Sequence, residues 1–311
     1  MTAVPLLVHC LGAPALLSAK YSLEIPIKVR YLLGLTACGI LLALPQRDAA
    51  AQAEVGAQLD LFSSYVWRGV TLTNKPVAQP DLWVSFPGGN ASITIGGWSS
   101  IDLGKYDDPE NDISQSGGLS SFNYAEFDPY AEVSFTTGKA SITGGVVGYI
   151  YPNDLDEATN GGLGSESNTW EAYGTVGFDV PLAPELSIYY DFDKVSGAYF
   201  EGGVSHSLAL GESHTLDLGG LVGFNLGQGF REDDESFNFD DDGMTHADFS
   251  AGVPLTAGAF SITPVLHLQV NVDEATKFHS PTGDGSDVKL WGGVSIGWSN
   301  AAEEVEAEAE E

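Results

Sequence analysis

The stretch FSITPVLHLQVN, Phe260–Asn271, settles the class of fold. Phe260, Ile262, Leu266, Leu268 and Val270 fall on one face; Ser261, Thr263, His267, Gln269 and Asn271 fall on the other. A period of two belongs to extended chain, whose side chains alternate across the strand. Thr169–Val180 repeats it, with Trp170, Ala172, Val176, Phe178 and Val180 opposite Thr169, Glu171, Tyr173, Thr175 and Asp179. Val288–Trp298 does so again, Leu290, Val294, Ile296 and Trp298 opposing Lys289 and Ser295. Past Glu54 no stretch carries the period of about 3.6 residues of an amphipathic helix. Segments of about ten residues with alternating hydropathy are the mark of a transmembrane β-barrel.

That template marks about twelve segments: 55–67, 77–86, 91–101, 127–137, 139–150, 169–180, 185–193, 197–208, 212–226, 244–255, 258–271 and 287–299. Their connections are of two kinds. Tight ones are PGGN from Pro87, TTGK from Thr136, PLAPE from Pro181, ALGES from Ala209 and LTAG from Leu255; long polar ones are 102–126, 151–168, 227–243 and 272–286. Short turns toward the periplasm and long loops outside are the asymmetry of outer-membrane barrels, and an even strand count puts both termini on the short-turn side. The expected fold is therefore all-β: a closed antiparallel transmembrane barrel over residues 54–299. The competing architecture is a soluble β-sandwich, which also alternates. It would need a polar outer face and more bulk on the inner one. Here the polar face mixes Ser, Thr, Gly, Asp and Glu with few large apolar residues.

Composition narrows the function. Lys+Arg 12 against Asp+Glu 43 leave a formal net charge of −31, so nothing could neutralise phosphates and nucleic acid is excluded as a partner. With 43% hydrophobic and 11% aromatic residues the chain is not of disordered composition. Residues 1–53 have the layout of a cleaved export signal: Lys28 and Arg30 precede the apolar run Tyr31–Leu44, and AQA at Ala51–Ala53 closes it. The tetrapeptide LTAC, Leu35–Cys38, resembles a lipobox, but the apolar run continues beyond it, which weighs against a lipid anchor. Cys10 and Cys38 both lie in this segment, so the exported chain is expected to have no disulfide and no thiol nucleophile. Residues 300–311 form an acidic tail, placed by the strand count in the periplasm.

Carried along the first segment, the alternation turns Val55, Ala57, Leu59 and Leu61 to lipid. Tyr65 and Trp67 share that parity near its end, and with Trp170 and Trp298 they are expected to form the aromatic girdle. Even positions, including Asp60, Ser64 and Arg68, face the bore. The same parity elsewhere adds Glu132, Glu171, Asp179, Asp191, Glu201, Asp217, Asp248 and Lys289 as lumen or constriction candidates. In SYVWRGVTLT, Ser64–Thr73, a lone cation sits among aromatics in a very acidic chain. Arg68 is expected to be a bidentate anchor for bore carboxylates at the outer end, either within a selective constriction or as a structural ion pair.

The run SSYVWRGVTLTNKPVAQPDLWVSF, Ser63–Phe86, resembles the opening of the TorF-type family of porins, Gram-negative outer-membrane barrels. Val66, Trp67, Arg68 and Gly69 match that family's aromatic-Arg-Gly motif, and Lys75–Gln79 match its return strand. The rest of the chain is similar only in pattern, and its acidic loops and tail depart from the family. The resemblance implies an outer-membrane location and a barrel, without naming a substrate.

The histidines and serines offer no nucleophile with a base. His206 has lipid-facing parity, and FHSP, Phe278–Pro281, is too proline-broken to lie on a strand, so no enzyme and no cofactor are expected. Asp233, Asp234, Asp240, Asp241 and Asp242 crowd one loop and are weak calcium candidates, but without the spacing of a dedicated calcium loop. A solvated, self-repelling loop is the preferred explanation. The expected partners are outer-membrane lipid and lipopolysaccharide, and the barrel-assembly machinery during insertion. The function read from the sequence is a porin-like channel for small solutes, with cation preference. The alternative is a plugged structural or adhesive barrel whose acidic loops bind a partner or divalent cations.

Overall fold

The computed structural model describes residues 53–108, 111–114, 121–152, 167–211, 213–229, 238–279 and 285–300. Among these the chain is a closed antiparallel barrel of 12 strands without α-helices. In chain order the strands are β1 Glu54–Phe62, β2 Val77–Gly88, β3 Ala91–Asp102, β4 Asn123–Thr137, β5 Ala140–Tyr149 and β6 Thr169–Phe178. They continue with β7 Glu185–Asp191, β8 Ala198–Leu210, β9 His214–Leu226, β10 Gly243–Gly252 (resumed at Leu255–Ala257), β11 Phe260–Asn271 and β12 Val288–Ser299. Each strand pairs with the next in sequence, and β12 returns to β1 in a register running from Gly56↔Ser299 to Phe62↔Gly293. No edge is left unpaired, which is what a spanning sheet requires where no water can satisfy its backbone.

The alternation has a visible cause. Ile93, Ile95, Val133, Ile142, Leu186, Ile188, Val222, Phe249, Leu266 and Leu290 all stand exposed on the outside of the wall. A soluble sandwich would bury that face; a barrel presents it to acyl chains. The tight turns lie together at one end, where Gly89 and Gly138 take positive φ (68° and 57°) that a side chain would resist. The break in β10 falls at Val253–Pro254, where the Val253 amide donates to the Pro264 carbonyl at 3.2 Å. Pro254 and Pro264, neither with an N–H, lie on the two facing strands one step apart in register, so the ladder is interrupted where donors are missing.

Two sequence expectations are corrected at this level. The first segment does not run to residue 67: β1 ends at Phe62, the chain bends at Ser63–Ser64, and Tyr65–Trp67 pairs instead with Val70–Thr73. Phe278–His279, expected to be too broken for a strand, makes a two-residue pairing with Gly285–Ser286 in the long loop between β11 and β12.

Candidate functional site: a hairpin folded into the bore

The hairpin begins where β1 stops, with the Ser63 amide donating to the Gly292 carbonyl at 3.0 Å. Its arms pair as Tyr65↔Thr73, Val66↔Thr71 and Trp67↔Val70. That leaves Arg68 (φ 47°) and Gly69 (φ 88°) as a two-residue turn with both central residues left-handed, as an I′-type hairpin demands. Glycine takes this conformation freely. An arginine does so at a cost of about 1–2 kcal/mol, so something must hold it.

The Arg68 guanidinium donates to Glu171 through two parallel bonds, Nη1 to Oε1 at 2.8 Å and Nη2 to Oε2 at 2.6 Å. Its carbon lies 4.5 Å from the Trp67 ring centre, 4.3 Å from that of Tyr189 and 4.6 Å from that of Tyr199. Glu171 is 1% exposed and also accepts the Tyr149 hydroxyl at 2.8 Å. Phe239 is stacked between Trp67 and Tyr199 at 6.3 and 5.5 Å. Lys289 Nζ donates to Thr71 Oγ1 at 2.8 Å, Gln269 Nε2 donates to the Gly69 carbonyl at 2.7 Å, and Thr73 Oγ1 donates to Asp102 at 3.1 Å. Arg68 and Lys289, the two cations expected for the bore, thus both hold the hairpin.

The hairpin packs into one end of the bore. Val77, Asp102, Glu126, Glu171, Tyr199, Asn225, Thr245 and Gln269 are fully buried. Every one lies at the long-loop end of its strand, around Thr73 of the hairpin. Toward the short turns many inward positions are small and polar and stay half-buried, among them Ser85, Thr94, Ser134, Thr143 and Thr175, with the Trp83 ring lying over Gly56. Two cavities flank the hairpin. One, of about 490 Å³, is lined by Tyr65, Trp67, Trp98, Asp128, Tyr130 and Glu132 among others. The other, of about 430 Å³, lies across Val66, Arg68 and Gly69 toward Glu201, His246 and Asp248.

The sequence-derived site residues divide by this geometry. Arg68 and Glu171 meet; Glu132 accepts the Tyr173 hydroxyl at 2.7 Å, and Glu201 borders the smaller cavity. Asp60 accepts from Gln58 Nε2 at 3.1 and 3.0 Å on β1, and Asp217 stands nearer the short-turn end, opposite Ser207. Asp248 is 2.8 Å from His267 Nδ1. Asp191 is drawn away from any constriction, because its carboxylate accepts Thr169 Oγ1 at 2.6 Å and the Asp193 and Val195 amides at 3.0 Å, folding its own loop. Asp179 falls in the turn after β6, exposed, rather than in the bore.

Tyr65 and Trp67 are corrected outright. They point into the barrel, Tyr65 6% exposed and 5.3 Å from the Trp98 ring, because the bend at Ser63–Ser64 takes the chain off the wall. Trp170 and Trp298 share the outer face, Trp170 at the long-loop end and Trp298 at the other. Of the calcium candidates, Asp233 and Asp234 lie outside the described residues. Asp240 and Asp241 donate their amides to Asp273 at 3.0 Å, and Asp242 accepts the Gly227 amide at 2.7 Å. Among the described residues no three His, Cys, Asp or Glu side chains come together as metal ligands. Burial and the Asp273 carboxylate push the Asp240 carboxyl above its ordinary range.

Sequence reasoning missed Glu126, Asp128 and Tyr130. Asp128 and Tyr130 already shared the parity of Glu132 within 127–137, and starting β4 at Asn123 rather than at 127 adds Glu126 to the same inward face. The alternation was there to find them.

No curated protein sequence matches the chain. Among solved structures, an outer membrane channel from Pseudomonas putida F1 is similar at 10% identity and a TM-score of 0.46, covering 82% of this chain and 97% of that one. LpxR from Salmonella typhimurium is similar at 10% identity and 0.43, covering 79% and 99%. The CymD monoaromatic hydrocarbon channel is similar at 11% and 0.39, covering 79% and 87%. These are likenesses of barrel architecture. Residues 46–256, more than half of the chain, match a family described as a bacterial protein of unknown function, and they include the aromatic-Arg-Gly motif and the hairpin. With that match the chain belongs to the Gcw_chp family.

Proposed function

We propose that the protein is an outer-membrane channel for small solutes whose resting form is closed by the hairpin. The observation that carries this is the uneven filling of the bore. Toward the short turns the wall's inward side chains are largely Ser, Thr and Gly beside Trp83. Its other large rings (Trp98, Tyr130, Tyr173 and Tyr189) lie next to the hairpin, and the hairpin itself is an insert gathered at one end by Arg68, Lys289 and an aromatic stack. A barrel built only for rigidity would be filled by large side chains along its whole length. Asp60, Asp81, Glu132, Glu201 and Asp217 line the passage against two cations already engaged with the hairpin, so the open form favours cations. On this reading lipid and lipopolysaccharide surround the barrel, and the barrel-assembly machinery inserts it.

Planar-bilayer recording tests this. The intact chain is expected to give rare, brief steps. Replacing Ser64–Thr73 by a short Gly-Ser linker is expected to give large, sustained ones, with a reversal potential on the cation side in a salt gradient. Reversal at the anion potential contradicts the selectivity. Silence from both forms leaves the plugged barrel whose acidic loops bind a partner.

A further inference from the structure

The larger of the two cavities has a composition the channel reading does not call for. Trp67, Trp98, Tyr130, Tyr173 and Tyr189 turn rings into it, and its charged members are Asp128 and Glu132. No lysine or arginine lines it, whereas the smaller cavity across the hairpin carries Arg68, His246 and His267 among its acids. The same bore is thus divided into an aromatic, anionic compartment and a mixed one.

Hydrogen bonding fixes what the first compartment can accept. A sugar or other neutral polyol would need free donors as well as acceptors. The tyrosine hydroxyls are already committed: Tyr173 donates to Glu132 at 2.7 Å, Tyr149 to Glu171 at 2.8 Å, and Tyr130 leans on Asp81 at 3.3 Å. Arg68 already covers the Trp67 and Tyr189 rings, so what remains for a guest is carboxylate oxygen, the ring faces of Trp98, Tyr130 and Tyr173, and indole N–H as the one kind of donor. Asp128 is 7% exposed, lines this cavity, and its Oδ1 has no hydrogen-bond partner among the described residues. A buried acceptor left open is costly unless a guest supplies the donor or the charge. Electron-rich ring faces and a carboxylate together select a positive, partly apolar group.

We propose that this cavity binds an organic cation, an alkylammonium or arylammonium ion, with its charge toward Asp128 and Glu132 and its carbon surface against the tryptophan and tyrosine rings. About 490 Å³ admits a small organic ion with room for water. The site is a matter of equilibrium binding and holds whether or not the barrel conducts.

The test uses the full chain refolded in detergent micelles and titrated with tetraethylammonium chloride. Sodium chloride at equal ionic strength and glucose serve as controls. Binding is read by calorimetry and by the change in total tryptophan emission, to which Trp67 and Trp98 contribute. Saturable binding of tetraethylammonium is expected, at least tenfold weaker in the Asp128→Asn/Glu132→Gln variant, with no saturation by glucose or sodium. If the double variant does not reach the folded, heat-modifiable form, Glu132→Gln alone serves, with the same direction expected. Absence of saturable tetraethylammonium binding, equal binding of glucose, or binding unaffected by the carboxylate substitutions overturns the proposal. None of these outcomes depends on conductance, so the site and the channel reading fail separately.

Discussion

Arg68 is held by interactions that only make sense together. Its left-handed backbone is unfavourable, its charge is taken out of water, and its guanidinium is flanked by three aromatic rings. The bidentate pair with Glu171 offsets these costs and fixes where the hairpin tip sits. Arg68→Met leaves Glu171 buried with the Tyr149 hydroxyl but no counter-charge. Urea unfolding in micelles is expected to show a loss of about 3–5 kcal/mol. Adding Glu171→Gln removes the stranded charge and should recover a good part of it; no recovery would mean that the ring contacts, not the ion pair, hold the tip. Gly69→Ala is a second probe. A Cβ there would stand 2.7 Å from the His246 ring, on a φ of 88° that alanine resists. A cost of about 1–2 kcal/mol is expected from the backbone alone, with faster protease cutting in Ser64–Thr73 as its readout. At this scale the sequence showed that an inward arginine needs a carboxylate. It could not show which one, since Glu171 lies 103 residues away and the choice is made by the barrel's curvature.

At the scale of elements, legibility follows the solvent. All twelve wall segments could be read because lipid on one side imposes a strict period of two. Inside the bore no such rule acts, and the extension of the first segment to Trp67 failed where the chain leaves the wall. A local signal was present: Arg-Gly between two β-branched or aromatic pairs is a two-residue turn flanked by short strands. The run of alternation from Val55 masked it. The hairpin's return arm is tied down in turn by a loop contact, Lys75 Nζ to Asp112 Oδ2 at 3.0 Å. Asp112 also accepts the Asp107 and Asp108 amides at 3.2 and 3.0 Å. Burial works against its charged form, but the Lys75 ammonium and those amides outweigh it and hold the carboxyl below its ordinary range. The hydrogen bond to Asp112 raises Lys75 in turn. A carboxyl with a depressed folded value stabilises the loop above its unfolded value and ceases to as pH falls through the folded one; a raised lysine does so until pH climbs past its own. Hydrogen-exchange protection of the Asp107 and Asp108 amides, corrected for intrinsic rates, should therefore be present near neutrality and vanish below the ordinary carboxylate range of about 4. Protection that survives strongly acid conditions would show that the backbone, not Asp112, orders the loop.

The molecule as a whole is asymmetric: packed with buried side chains toward the long loops, lined largely by half-buried Ser and Thr toward the short turns, and oily on the outside of the wall. The acidic residues of the barrel fall in its loops, its turns and its bore, because the lipid-facing wall disfavours them. Two neighbouring positions on β11 test this division directly. Leu266 stands on the outer face, 52% exposed and mid-strand, while Thr263 points into the bore, paired with Ser295 and on the same circuit as Asp60. An arginine at Leu266 must meet acyl chains near the middle of the bilayer, at a cost of about 2–4 kcal/mol. An arginine at Thr263 meets water and the carboxylates of the bore, and is expected to cost under about 1 kcal/mol while lowering any cation preference. Equilibrium folding into lipid vesicles, compared for Leu266→Arg and Thr263→Arg, should separate the two by at least tenfold in the folding constant. Equal tolerance at both positions would mean that Leu266 does not face lipid. Equal damage would mean that the bore around Thr263 is packed rather than filled with water, and with it the passage on which transport depends would be gone.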